Sequence, residues 1–248
     1  MLHLHKVYIF MIELLIINLL FQGAHMFKNK RQRRCIMSLF LGKIHYWLFN
    51  KILWFEKLED EIIDLAKKEG FEVEKISEDI QNKYGRKLPN KPLEDLIDTG
   101  NIHGWLQGQI HSAERRMAAW TKLLIEADEK NYKKLEEVYK IQGIVAAKEI
   151  KAEGNAPSTP EALFNSMNDY ILDGMPCDRV NEIVANDEKH IAWEQRVCVH
   201  KDIWNEVGCD VKYFYDLRND WIKSFINELN NKFEYSIDEN GVRLIKSI

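Results

Sequence analysis

The sequence predicts an α+β fold: a predominantly helical bundle with a small C-terminal antiparallel sheet. Three observations carry this. Long stretches place apolar residues at every third or fourth position, the period of a helix that buries one face. Near residue 190 the period changes to two, in a segment rich in Val, Ile and Trp, which suits strands. Five prolines and twelve glycines in 248 residues favour long regular elements over loops. At 46% hydrophobic and 30% charged, the composition is that of a folded globular chain.

The first predicted helix runs from Lys43 to Lys68, with Ile44, Trp47, Leu48, Phe55, Leu58, Ile62 and Leu65 at helical spacing. Glu69-Gly70 ends it, glycine supplying a left-handed residue after the last turn. Residues 77–101 read as a polar, turn-rich stretch with Tyr84-Gly85, Pro89 and Pro92. The most regular helix follows: Ile102, Leu106, Ile110, Ala113, Met117, Trp120 and Leu124 form a core-facing stripe. Another helix is predicted from about Lys130 to Ile150, with Leu135, Val138, Ile141, Val145 and Ile150 on one side. After a break at residues 153–157, Ser158-Thr159-Pro160-Glu161 reads as a cap followed by proline in the first turn of a helix reaching Leu172. His190–His200 reads as a strand, about 211–229 as a helix, and Lys232–Ile237 with Val242–Ile248 as a hairpin turned at Asn240-Gly241.

Residues 1–36 differ from the rest. Val7–Phe21 is an apolar run broken by Glu13 and Asn18, and Lys28, Lys30, Arg31, Arg33 and Arg34 come after it. The run is short for a membrane span, which needs about 20 apolar residues. Its strong charge comes after the run, whereas a secretory signal has it before. Arg33-Arg34-Cys35-Ile36-Met37 can be encoded as AGG AGG, six nucleotides and ATG, the pattern of a bacterial ribosome-binding site ahead of a start codon. The expectation is that 1–36 is upstream sequence read in frame, with a true N-terminal anchor as the alternative, and that 37–248 is one domain. The membrane enters as a partner only if 7–21 is such an anchor.

The formal net charge is −4. Residues 1–36 hold six of the 35 basic residues and one of the 39 acidic ones, so Met37–Ile248 carries −9, 29 basic against 38 acidic. That excludes general nucleic-acid binding, which needs a basic face. Beyond Cys35 the cysteines are Cys177, Cys198 and Cys209, with no CxxC spacing. They form neither a disulfide framework nor a zinc ribbon, and a reducing cytoplasm is the expected setting. The P-loop, the Rossmann glycine pattern and the GxSxG elbow are absent as motifs.

Two groups of residues can carry chemistry. His103, Gln107, His111 and Glu114 each come one residue after a member of the core stripe, about 100° round the helix. A histidine and a carboxylate one turn apart can ligate a divalent metal ion or act as acid and base. His103, His111, Glu114 and His190 are the expected metal ligands, and the plain alternative is a polar flank beside the core. The second group is Glu194, Arg196, Cys198 and His200, which on a strand share one face. There His200 would activate Cys198 as a nucleophile, with Glu194 beside them. The plain alternative is a small buried thiol.

The order RVCVH (196–200), IWNEVGCD (203–210), YFYDLRNDWIKSFINELNNKF (213–233) and terminal hairpin resembles the C-terminal half of the L-2-amino-thiazoline-4-carboxylic acid hydrolase-like family. The resemblance covers about 188–248 and implies an active-site thiol at Cys198. The family pattern has a further cysteine in the last strand, and Val242–Ile248 has none. The expected function is therefore a small-molecule enzyme, a thiol- or metal-assisted hydrolase acting on a C–N or C–S bond. Its pocket would lie between the central helix and the sheet, with His111 and Glu114 completing the site. The alternatives are a metal- or cofactor-binding helical protein without thiol chemistry, and a non-catalytic sensor or partner-binding domain.

Overall fold

Apolar spacing becomes packing in α1 (Lys43–Lys68), where Leu48, Ile52, Phe55, Leu58, Ile62 and Leu65 are buried along one face. The computed structural model describes residues 41–154 and 156–248. The run at 7–21, the basic cluster, Cys35 and the expected boundary at Met37 lie outside the described residues. Gly70, at φ 89°, ends α1 as the sequence predicts. No helix among the described residues is long and apolar enough to cross a membrane.

The stretch expected to be turn-rich begins within a helix, α2 (Val73–Tyr84). Ile76, Ile80 and Tyr84 are four residues apart and pack, partly buried, against the core. Ser77, Asp79 and Asn82 between them are poor helix formers, and they hide the stripe. The central helix α3 (Ile102–Ala127) buries every member of its predicted stripe except half-buried Ile102. Asn101 caps it, its Oδ1 accepting from Gly104 N at 3.1 Å.

The helix α4 (Asn131–Ala152) turns inward a face that matches the predicted one only in part. Leu135 is buried and Val138 and Ile150 are partly buried as predicted, but Ile141 is 58% exposed and Val145 43%, and Tyr139, Gln142, Gly143, Ala146 and Ala147 are buried instead. The reason is close approach to α7 (Val211–Leu229), its most extensively packed neighbour. A Cβ on Gly143 would lie 2.5 Å from the Trp221 carbonyl oxygen, so small residues must face α7 and the larger aliphatics turn outward. The short helix α5 (Pro160–Asn168) starts as predicted, with Thr159 Oγ1 accepting from Ala162 N at 3.2 Å.

Four antiparallel strands form one sheet in the order β1–β2–β4–β3: β1 (Asn181–Asn186), β2 (His190–Gln195), β3 (Phe233–Ile237) and β4 (Arg243–Ser247). The β3–β4 hairpin turns at Asp238–Gly241, where Gly241 has φ 83° and Asp238 Oδ1 accepts from Asn240 N and Val242 N. The α+β architecture dominated by helices is the one predicted. Two details differ. The edge strand β1 is not predicted from sequence, since its residues are largely exposed and show no alternation. And β2 stops at Gln195, because its partners run out there: Gln195 opposes Asn181, the first residue of β1, and β4 pairs no further than Trp193. Residues 196–200 leave the sheet, and Lys201–Val207 forms the helix α6, with His200 at its N-terminal boundary. Glu194, Arg196, Cys198 and His200 therefore do not share a strand face. One continuous hydrophobic core, from Leu41 to Ile245, joins helices and sheet.

Candidate functional site

Because the chain leaves the sheet before α6, His200 is driven inward. It is 0% exposed, with its ring against Phe214 of α7 at 4.1 Å between centroids. Both ring nitrogens are taken by carboxylates. Nδ1 lies 2.8 Å from Glu114 Oε2 of α3, and Nε2 lies 2.8 Å from Asp173 Oδ1 in the loop after α5. Arg218 Nη1 of α7 donates to the same Asp173 oxygen at 3.0 Å, and Asn181 Nδ2 donates to Asp173 Oδ2 at 2.7 Å. Two acids thus face two cations inside the fold, which is how a buried charge cluster becomes tolerable.

The electrostatics come from this arrangement. Burial alone would strip His200 of its proton, but the Glu114 and Asp173 carboxylates outweigh it and hold the imidazole up at about 9. Burial also works against an ionised Asp173. Arg218, His200 and Asn181 outweigh it and hold that carboxyl far below the usual range. At neutral pH His200 is therefore an imidazolium that donates from both nitrogens.

Glu114 is 1% exposed, and its second oxygen, Oε1, is buried without a hydrogen-bond partner. A buried carboxylate oxygen left unpaired is costly. Glu114 lines a cavity of about 200 Å³ between α3, the loop 174–178 and the start of α6. Gln107 and His111 share its α3 wall, and Met175, Asp178, Val199 and Ile203 close the other side. The loop is held between two left-handed residues, Gly174 at φ 69° and Arg179 at φ 48°. Asp178 Oδ2 fixes it by accepting from Met175 N at 2.8 Å. Gly174 has no room for a side chain, since a Cβ would lie 2.7 Å from that Asp178 oxygen. A left-handed non-glycine residue such as Arg179 is uncommon and clusters at functional loops.

The site residues expected from sequence are distributed unevenly. Glu114 and His200, 86 positions apart, meet directly, and His111 lines the same cavity. The expected metal shell of His103, His111, Glu114 and His190 is not assembled. His103 lies against His45, with ring centroids 5.6 Å apart, and His190, the first residue of β2, has Nδ1 3.0 Å from Asp187 in the β1–β2 turn. Among the described residues no three His, Cys, Asp or Glu side chains are grouped so as to hold a metal ion. The expected Cys198–His200 pair is also not formed, because both imidazole nitrogens are committed to carboxylates. Cys198 is exposed, its Sγ accepting from the Tyr215 hydroxyl at 2.9 Å and from Lys201 N at 3.3 Å. Glu194 is exposed on β2 opposite Glu182. Cys209 is buried, which pushes its thiol up to about 12.

Sequence reasoning misses Asp173 and Arg218. A signal for Arg218 exists: it occupies a core position of α7, four residues after Phe214 and three before Trp221, where a charge needs a buried partner. Asp173 sits in a loop, and nothing in its neighbours marks it.

Compared with known proteins, the chain matches no family model, no curated protein and no solved structure.

Proposed function

We propose that the chain is a small-molecule enzyme in which Glu114 is the proton acceptor, with hydrolysis of a C–N or C–S bond as the reaction class. The observation that carries this reading is the division of labour at Glu114. One oxygen is anchored by the His200 imidazolium, and the other is unpaired beside a small cavity. A general base has to be fixed in orientation and left with a free oxygen within reach of the substrate. In the proposed step Glu114 Oε1 takes a proton from water as the water oxygen adds to the substrate carbon. The carboxyl then returns that proton to the leaving nitrogen or sulfur. His200, Asp173 and Arg218 act through Glu114 as positioning residues. The thiol route has less support, since His200 has no free nitrogen to accept the Cys198 proton.

A panel of small amides, amidines and thioesters, assayed for ammonia or thiol release, tests the assignment. The wild-type chain is expected to turn over at least one member. Glu114→Gln should lower kcat by about 10²–10⁴-fold, the usual worth of a positioned base, and Cys198→Ser should leave it unchanged. Turnover that survives Glu114→Gln but is lost in Cys198→Ser would move the chemistry to the thiol and refute the proposal. Absence of turnover across the panel would also count against it.

A further inference from the structure

If the cavity beside Glu114 is the functional site, as proposed above, its lining also selects what it binds. Glu114 and Asp178 contribute carboxylates and His111 an imidazole, and neither lysine nor arginine is among the lining residues. Behind Glu114, Asp173 is matched by Arg218 and His200 is left to balance Glu114, so the uncompensated carboxylate of the lining is Asp178. Glu114 Oε1 is buried and has no donor from the protein. Gln107, one turn before His111 on α3, adds an amide that can orient a planar group. A ligand completing this site must bring N–H donors, and a positive charge on it is offset by the walls. An anion would meet the Asp178 carboxylate and bring no donor to Glu114 Oε1, and a neutral amide would leave the Asp178 charge uncompensated.

We infer that the cavity takes a small organic cation of the amidinium or guanidinium type, whose N–H groups bond to Glu114 Oε1 and are balanced by the Asp178 carboxylate. The planar, delocalised donor pair of such a group matches a carboxylate edge better than a spherical ammonium does. The walls Met175, Val199 and Ile203 leave an apolar side for a short carbon substituent. The hydrolysable C–N bond of such a cation falls within the reaction class proposed above.

Three probes of nearly one shape separate the charge from the fit: acetamidinium, acetamide and acetate. Each is titrated into the full-length ¹⁵N-labelled chain while the backbone amides of residues 107–114 and 174–178 are monitored. Acetamidinium is expected to shift these amides with a Kd at least about tenfold below those of the other two, the worth of one charge-assisted hydrogen bond. Glu114→Gln should remove most of that preference. Asp178→Asn, which keeps an oxygen for Met175 N, should weaken acetamidinium and leave acetamide unchanged, and it carries the test if Glu114→Gln fails to fold. Acetamide or acetate binding as tightly as acetamidinium at these residues overturns the inference and leaves the cavity a binding site. No response from any probe, together with no turnover in the panel above, removes both readings.

Discussion

Replacing His200 with alanine is expected to destabilise the fold by about 3–5 kcal/mol, the usual cost of removing one partner from a buried charge cluster. The loss exceeds that of an ordinary packing defect because Glu114 and Asp173 would be left facing each other across the gap without the imidazolium. The pH dependence identifies the cause. His200 is raised from 6.5 to about 9 in the fold, so its contribution is complete below pH 6.5 and is lost as pH rises through about 9. Asp173 is depressed below its ordinary 3.8, so its contribution is present above that value and is lost on acidification. Denaturant unfolding of wild type and His200→Ala should differ most between about pH 4 and pH 6.5, and the two should converge at alkaline pH. A difference that stays constant across this range would mean that His200 contributes by packing alone.

Replacing Arg116 with alanine is expected to cost a similar amount, about 3–5 kcal/mol, at the opposite side of α3. Arg116 is 0% exposed, and it donates from Nε to Glu59 Oε2 at 3.0 Å and from Nη2 to Glu56 Oε1 at 2.5 Å. Its Nη1 donates to the Gly85 carbonyl at 3.1 Å and to Ser112 Oγ at 2.8 Å. Glu56 in turn accepts from Leu88 N at 3.1 Å. One guanidinium thus ties α1, α3 and the loop after α2 together. Burial pushes Glu59 up to about 7 even with Arg116 in place, so ionising it costs stability as pH rises through that value. Without Arg116 the opposition to ionisation strengthens, and the deficit of Arg116→Ala should widen from acid to alkaline pH. Arg116→Lys should restore only part of the stability, because an ammonium cannot bond two carboxylates and a carbonyl in a planar fork. A loss below about 1 kcal/mol, the scale of an exposed ion pair, would contradict this account.

The two clusters explain what is legible in the sequence and what is not. The stripe of α3, the extent of α1, the cap at Thr159-Pro160 and the hairpin at Asn240-Gly241 are readable, because each rests on local chemistry: apolar period, a cap oxygen, a left-handed glycine. The buried face of α4 is partly misread because hydrophobicity favours Ile141 and Val145, whereas contact with α7 demands Gly143, Ala146 and Ala147. The helix at Val73–Tyr84 is hidden by its polar residues. At the site, Glu114 and His200 are both legible as candidates, but the pairing of His200 with Cys198 is wrong because β2 ends five residues before His200. A strand's end depends on where its neighbours stop, which alternation cannot show. Asp173 and Arg218 escape notice because their roles exist only once the loop after α5 and α7 meet.

His200 is held as an imidazolium between two carboxylates and thereby anchors one oxygen of Glu114, leaving the other unpaired in a residue that lines the cavity. Ring ¹⁵N NMR of His200 tests it most directly. The expected result is protons on both ring nitrogens at about pH 7.5, with deprotonation only near pH 9, well above the ordinary histidine range. A neutral ring at about pH 7.5, with one bare nitrogen, would contradict it, because one of the two carboxylates would then have no donor from His200.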